Sequence, residues 1–289
     1  MRLAIVGAAG GVGSATAFAA ILAGTVDELV LLDEREGPLQ AQQLDLEQLR
    51  GTVRPVSVAT GDWSAAAAAD VAVISASAPH RDGLARLDYL RANAEIAADV
   101  ARRLEAAGTL PRTIAVATNP VDHVCTLLHR RLGLPRERLL GFSANDSARL
   151  AFAVAEAIGV EPSRVTAWSL GEHGELAVPL LGRVQLDGEP LELAPEVREA
   201  AIAYTRGWYA RWQACSPGRT STWMTGQGLA ALVERLGGGG ADAYPASVVL
   251  DGEYGVRGVS LTVPVRLEGG AARVLEWPLT PAEADGLRA

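Results

Sequence analysis

"AIVGAAGGVGSATA", residues 4–17, decides how the rest of the chain is read. An apolar run, "RLAIV" at 2–6, stops at a glycine; Gly7, Gly10 and Gly13 follow at three-residue intervals, and the alanine-rich "SATAFAAILA" begins at 14. A short apolar run bounded by glycine reads as a buried strand, and the small residues beyond it read as a helix. The first glycine permits a tight turn, the second lets backbone approach a pyrophosphate, and the third lets helix pack on strand. The helix N-terminus then faces the phosphates. No charge occurs from Leu3 to Val26, so the segment could pass for a signal peptide or membrane span, but Gly7, Gly10, Gly11, Gly13 and Gly24 break it up. Strand, turn and helix is the better reading.

Moving outward, "ELVLLD" at 28–33 is a second strand ending in Asp33, twenty residues past Gly13. A carboxylate there would accept both ribose hydroxyls of NAD and repel the 2'-phosphate of NADP. Glycine spacing alone is a weak sign, whereas glycines followed by Asp33 predict dinucleotide binding. Arg35 leaves room for some use of NADP. Farther along come a helical stretch at 37–50, a strand "DVAVISA" at 70–76, a helix at 86–108 ending in Gly108, and a strand at 112–120 stopped by Asn-Pro. Strands separated by helices predict a parallel sheet covered on both faces.

The second half is mixed: a helix after "NDSAR", short strands around 164–169 and 177–187, one helical stretch from about 195 to 235, and antiparallel strands in "YPASVVLDGEYGVRGVSLTVPVRL". The "GGGG" at 237–240 reads as a helix stop and loop. The expected fold class is α/β, a Rossmann doubly wound parallel sheet at 1–144 binding NAD, followed at 145–289 by an α+β substrate domain with antiparallel strands.

Composition narrows the function. At 289 residues and 49% hydrophobic content the chain is long and apolar enough to be globular. All 26 basic residues are Arg, a codon bias more than a chemical requirement, and the formal net charge is -8 with no basic run. That argues against a nucleic-acid groove, which needs clustered positive charge. Cys125 and Cys215 are too few for a disulfide framework or a four-thiolate metal site. They read as buried free thiols in a reducing, cytoplasmic compartment. His123 and Cys125 stand without evident metal partners, so no metal is expected.

An enzyme that moves hydride on a nicotinamide must also move a proton, which calls for a histidine with an orienting carboxylate. "SLGEHGEL" at 169–176 places His173 on a glycine-flanked loop after a strand, a poor position for a core histidine. In "NDSARL" at 145–150, Asp146 and Arg149 are three apart and so share a helix face. One can orient an imidazole; the other can grip a carboxylate bidentately. Each alone has an ordinary reading as cap, solvated surface or loop. The three together point to chemistry.

The ordered set "GAAGGVG", "LLD", "APHRDGLARLDYLRAN", "TNP", "DSAR", "GEHGE" and "LDGEYGVRGVSLTVPV", spread over residues 2–282, resembles the lactate/malate dehydrogenase family. The glycine loop is closer to the malate branch. The resemblance implies NAD, an L-2-hydroxy acid interconverted with its 2-oxo acid, and a homodimer or homotetramer. It implies His173 as proton donor and acceptor, Asp146 as its partner, Arg149 on the C1 carboxylate, and Arg86 on a mobile loop polarising the ketone. Asn119 and Ser221 would contact substrate, and Gly7, Gly10, Gly11, Gly13, Asp33, Asn93, Ala117 and Asn119 would contact the cofactor. In the family the position six before the loop arginine selects substrate, glutamine for lactate-type and arginine for malate-type side chains. Here it is His80, and Ser77, Asp82, Ala85 and Asn145 also depart from the usual pattern. The expectation is a polar or anionic C3 substituent: oxaloacetate and malate, or a phosphono or sulfo analogue. The alternatives are a lactate-type enzyme and a non-dehydrogenase NAD-binding relative.

Overall fold

A computed structural model describes residues 1–79, 86–238, 240 and 242–288, without the side chains of Arg86 and Leu87. The first half alternates strand and helix. β1 (Arg2–Val6) leads through the glycine turn into α1 (Gly11–Ala23), and β2 (Glu28–Leu32) into α2 (Glu36–Gln48). β3 (Ser57–Thr60), α3 (Trp63–Ala67), β4 (Val71–Ile74) and α4 (Arg86–Ala106) follow, then β5 (Thr113–Val116), α5 (Val121–Leu132) and β6 (Leu139–Phe142). These six strands are parallel in the order β3-β2-β1-β4-β5-β6, so the chain reverses its winding direction between β1 and β4. In such sheets ligands bind at the carboxyl ends of the strands flanking that reversal.

Alternation along the strands builds a core on each face. Leu3 and Ile5 of β1 and Leu29 and Leu31 of β2 join a cluster with Ala17, Ile21, Leu229 and Val233. Ala4, Val6, Val30 and Leu32 face the other way, onto Val100, Leu104, Val124 and Leu128. Each fully buried Leu, Ile or Val stabilises the fold by about 1.5–3 kcal/mol relative to exposure. That is why these runs are continuously apolar, as strands covered on both sides must be.

The second half opens with α6 (Ala144–Ile158), then the two-residue strands β7 (Val165–Thr166), β8 (Ser169–Leu170), β9 (Val178–Pro179), β10 (Gln185–Leu186) and β11 (Glu189–Pro190). The single helical stretch expected at 195–235 is two helices, α7 (Pro195–Ala214) and α8 (Trp223–Leu236). Between them Pro217 offers no backbone donor, and Ser216 and Gly218 have positive φ, +47° and +61°. The antiparallel strands β12 (Tyr244–Asp251), β13 (Arg257–Glu268) and β14 (Ala271–Val274) add to the edge of β6, making one nine-stranded sheet among the described residues. A short helix, α9 (Pro281–Arg288), ends the described chain. No described helix is long and apolar enough to cross a membrane.

Candidate active site

The glycine loop lies where the winding reverses. Gly7 has φ +89°, and a Cβ there would stand 2.6 Å from the Ala76 nitrogen, just beyond β4. A Cβ on Gly13 would stand 2.3 Å from the Gly7 oxygen, so α1 can follow this closely only with glycine at both positions. Gly10 caps α1 in an extended conformation with no side-chain acceptor. The helix therefore opens with first-turn N–H groups that lack an intrahelical partner, at its positive end. Gly11 faces the hydroxyl of Thr222, the residue after the half-buried Ser221, and this brings the α7–α8 connection to the loop.

Asp33 follows β2. Its Oδ2 accepts from the Ala9 nitrogen at 3.0 Å and from Arg35 Nη2 at 3.2 Å, and its Oδ1 accepts from Arg35 N at 3.1 Å and Nε at 3.0 Å. Burial opposes its ionisation, but these donors outweigh it and hold the carboxyl below its ordinary value. The Ala117 nitrogen donates to the Ile74 oxygen at 2.8 Å at the end of β5. Buried Asn93 accepts from Ala78 N at 2.7 Å and donates to the Asn119 oxygen at 2.6 Å, joining the segment after β4 to the one after β5. Gly7, Gly10, Gly11, Gly13, Asp33, Asn93, Ala117 and Asn119 thus gather along one edge of the sheet. An open helix N-terminus, glycines where side chains cannot fit, and a carboxylate after β2 fit a dinucleotide.

Beside this edge the second half supplies an imidazole paired with a carboxylate. The loop carrying His173 joins β8 to β9, which pair with each other, and Gly171 exchanges two backbone hydrogen bonds of 2.9 Å with Thr262 of β13. His173 Nδ1 lies 2.6 Å from Asp146 Oδ2, with the two side chains 13% and 10% exposed. Asp146 is in the first turn of α6, yet its side chain turns to His173 and to Arg149, whose Nη1 donates to Oδ1 at 3.1 Å. Burial works against the imidazolium, but the charge and hydrogen bond of Asp146, aided by Asp122, prevail over burial and Arg149, so His173 titrates above its ordinary value. Burial also draws the Arg149 guanidinium down, against the support of Asp146. Its carbon sits 4.0 Å from the ring centroid of Trp208 on α7.

A scan of family models matches residues 1–141 to the NAD binding domain of lactate/malate dehydrogenase. A malate dehydrogenase of Thermoproteus tenax is 34% identical over 281 residues, covering 95% of this chain and 90% of that protein. The chain belongs to the lactate/malate dehydrogenase family. Among solved structures, the malate dehydrogenase from Aeropyrum pernix aligns with a TM-score of 0.90 at 30% identity, covering 99% of this chain and 94% of that one. A minor L-lactate dehydrogenase from Enterococcus mundtii aligns with 0.91 at 26% identity over the same shares. This lactate/malate dehydrogenase is an NAD-dependent 2-hydroxy acid dehydrogenase.

Two expected site residues of this dehydrogenase, His80 and the side chain of Arg86, lie outside the described residues, although Arg86 is the first residue of α4. Three residues that sequence reasoning passed over are tied to His173 or Arg149, directly or through one partner. Trp208 covers the guanidinium, buried Asp122 accepts from the His173 backbone nitrogen at 2.7 Å, and Ser247 donates to Asp122. A signal for Asp122 was present in "NPVDH": Val121, Val124, Cys125 and Leu128 mark the buried face of α5, and Asp122 is buried beside them while His123 is exposed. Cys125 is buried as expected; Cys215, also free, is exposed. No cluster able to hold a metal occurs among the described residues.

Proposed function

We propose that this enzyme interconverts a 2-oxo acid bearing an anionic C3 substituent, oxaloacetate or a phosphono or sulfo analogue, with its L-2-hydroxy acid. The observation that carries the reading is the single buried cluster of His173, Asp146 and Arg149 beside the dinucleotide edge. Residues 1–144 serve the cofactor and 145–289 the substrate. Gly7, Gly10, Gly11, Gly13, Asp33, Asn93, Ala117 and Asn119 hold NAD, which when bound exchanges hydride with the substrate's C2. Arg149 binds the C1 carboxylate through the guanidinium donors that Asp146 leaves open. Asn119 and Ser221 contact the substrate.

In reduction, negative charge grows on the carbonyl oxygen, and His173 as imidazolium donates its Nε2 proton there. Asp146 holds the proton on Nδ1, so the tautomer and ring orientation suit that transfer. In oxidation neutral His173 takes the hydroxyl proton. Arg86 adds positive charge at the same oxygen. The malate dehydrogenase names of the relatives support a dicarboxylic substrate. His80 refines it: an imidazole can carry a positive charge near neutrality and meet an anionic tail.

The test is NADH oxidation with pyruvate, oxaloacetate and phosphono and sulfo analogues of oxaloacetate, repeated with NADPH. Anionic tails should outperform pyruvate by about one to two decades, the worth of a charge-assisted hydrogen bond. Replacing His80 by Gln should move preference toward pyruvate. If pyruvate is preferred and His80→Gln leaves the ratio unchanged, the lactate-type reading replaces this one.

The assembly proposed is a homodimer or homotetramer, with α1, α2 and α8 at a subunit contact. These helices pack on one another through α1 and leave Phe18, Leu22, Leu44, Trp223 and Met224 exposed.

A further inference from the structure

Asp122 lies in the first turn of α5, one of the few buried acidic residues of the described chain, and the proton-transfer scheme above does not use it. It reaches across from the first half to the loop of the second. Oδ2 accepts the backbone N–H of His173 at 2.7 Å, and Oδ1 accepts the hydroxyl of Ser247 on β12. Ser247 Oγ in turn stands 2.7 Å from Ser260 Oγ on β13, and the Ser260 nitrogen donates to Thr126 Oγ1 on α5 at 2.9 Å. The close approach is enforced by Gly141, where a Cβ would lie 2.8 Å from both Val121 and Ser247. Both carboxylate oxygens accept, which favours the ionised, acceptor-only form against the burial that raises Asp122 above its ordinary value. A protonated acid would need to donate.

We infer that Asp122 is a positioning residue for the proton relay: its carboxylate pins the backbone of His173 and sets a second negative charge beside the imidazole. The inference rests on His173 being the relay. The arrangement gives the imidazole two anions on two separate elements, Asp146 from α6 through its ring nitrogen and Asp122 from α5 through its backbone. Burial is the chief influence raising Asp122, and the hydrogen bonds from Ser247 and the His173 nitrogen oppose it. The other charged groups facing this pair are Arg149 on α6, which opposes the imidazolium, and Glu172 on the loop itself, which adds to the burial effect on Asp122. Cys125, one turn along α5, is kept as a thiol by burial and by the Asp122 charge.

Asp122→Asn keeps the size and an acceptor for the His173 amide but removes the charge. In full-length enzyme, histidine ring resonances titrated by NMR, with His173→Asn assigning the signal, should show His173 titrating lower in Asp122→Asn by about half a pH unit or more. The alkaline limb of kcat/KM for 2-oxo acid reduction should move the same way. A side chain that only fills space would lower the thermal midpoint and leave the His173 titration where it was, and that result overturns the inference. Asp122→Ser, neutral and smaller, repeats the measurement if the amide variant does not fold. The wild-type chain gives an independent check: the His173 amide should exchange with solvent far more slowly than those of Gly174 and Glu175, and equal rates overturn the inference. Because the titration needs no turnover, the two failures are distinguishable: absence of activity with every 2-oxo acid would sink the functional reading, and an unmoved His173 titration in an active enzyme would sink this inference alone.

Discussion

For the proposed reduction His173 must be an imidazolium near neutrality, and its surroundings decide whether it is. Burial disfavours the charge, while Asp146 at 2.6 Å restores it, so the folded-state value lies above the ordinary 6.5. Reduction consumes the protonated form, so kcat/KM for a 2-oxo acid should hold below that raised value and fall as pH rises through it. Asp146→Asn should bring this fall to lower pH, as pH–rate profiles will record. His173→Asn should cost about 100- to 10,000-fold in turnover, typical of a lost general acid, with NADH affinity unchanged in a fluorescence titration. Asp33 invites a second test. A carboxylate has about four lone-pair sites, and Ala9 and Arg35 between them engage both oxygens. On the proposed role of Asp33, the half-exposed Arg35 guanidinium gives way when ribose hydroxyls bind. Arg35→Ala should tighten NADH binding about two- to fivefold, the scale of a surface ion pair, in isothermal titration. Unchanged or weaker binding would show that Arg35 does not compete.

Elements deliver side chains that no local pattern announces. α7 and α8 are separated at Cys215–Thr222, and the break lets α7 lay Trp208 over Arg149 while Thr222 turns to the glycine loop. A cation over an indole face is worth about 0.5–2 kcal/mol. Trp208→Leu should therefore raise KM for the 2-oxo acid about 3- to 30-fold with kcat little altered, and substrate-induced quenching of tryptophan fluorescence should weaken with it. On the far side of the sheet, Arg136 clasps Glu253 in the β12–β13 connection through two bonds of 2.8 and 3.0 Å. The hydrogen bond from Arg136 is the chief reason that Glu253 is lowered from 4.5 to about 2. A depressed carboxyl stabilises the fold above its unfolded value, and that stability drains away as pH falls from 4.5 toward 2. Glu253→Gln should cost about 1–2 kcal/mol at pH 7 after allowance for solvent screening. In urea unfolding, the gap to wild type should close across that acid window.

For the whole molecule, two surfaces matter: the edge proposed to take NAD and substrate, and the exposed apolar side chains of α1, α2 and α8. Leu22 is 50%, Leu44 65% and Trp223 71% exposed. Monomeric proteins rarely expose large contiguous apolar patches, and a stable interface buries about 1,600 Å² in total. Sedimentation should find a dimer or tetramer, and Leu22→Glu with Trp223→Glu should yield a folded chain in a smaller assembly. A wild-type monomer would mean that this face meets something else. The small residues beneath the face also matter: a Cβ on Gly226 of α8 would stand 2.5 Å from the Cβ of Ala15, so α1 and α8 cross closely enough to act as one slab.

The amino-acid order alone carried the alternation of strand and helix in the first half, the glycine turn, Asp33 after β2, and the shared helix face of Asp146 and Arg149. Each is a short-range matter of periodicity, turn chemistry or helix spacing, in which neighbours in sequence are neighbours in space. His173 was legible because a histidine between glycines has no packing reason to be there. Tertiary structure alone decided the rest. It placed Asp122 against a backbone nitrogen 51 positions away and Ser247 against Asp122 across 125 positions. It split the long helical stretch, joined β12 to the edge of β6, and set Trp208 over Arg149. No spacing rule reaches that far. Such contacts exist because the apolar faces of separate elements must be buried together, and the polar groups carried in with them must find one another.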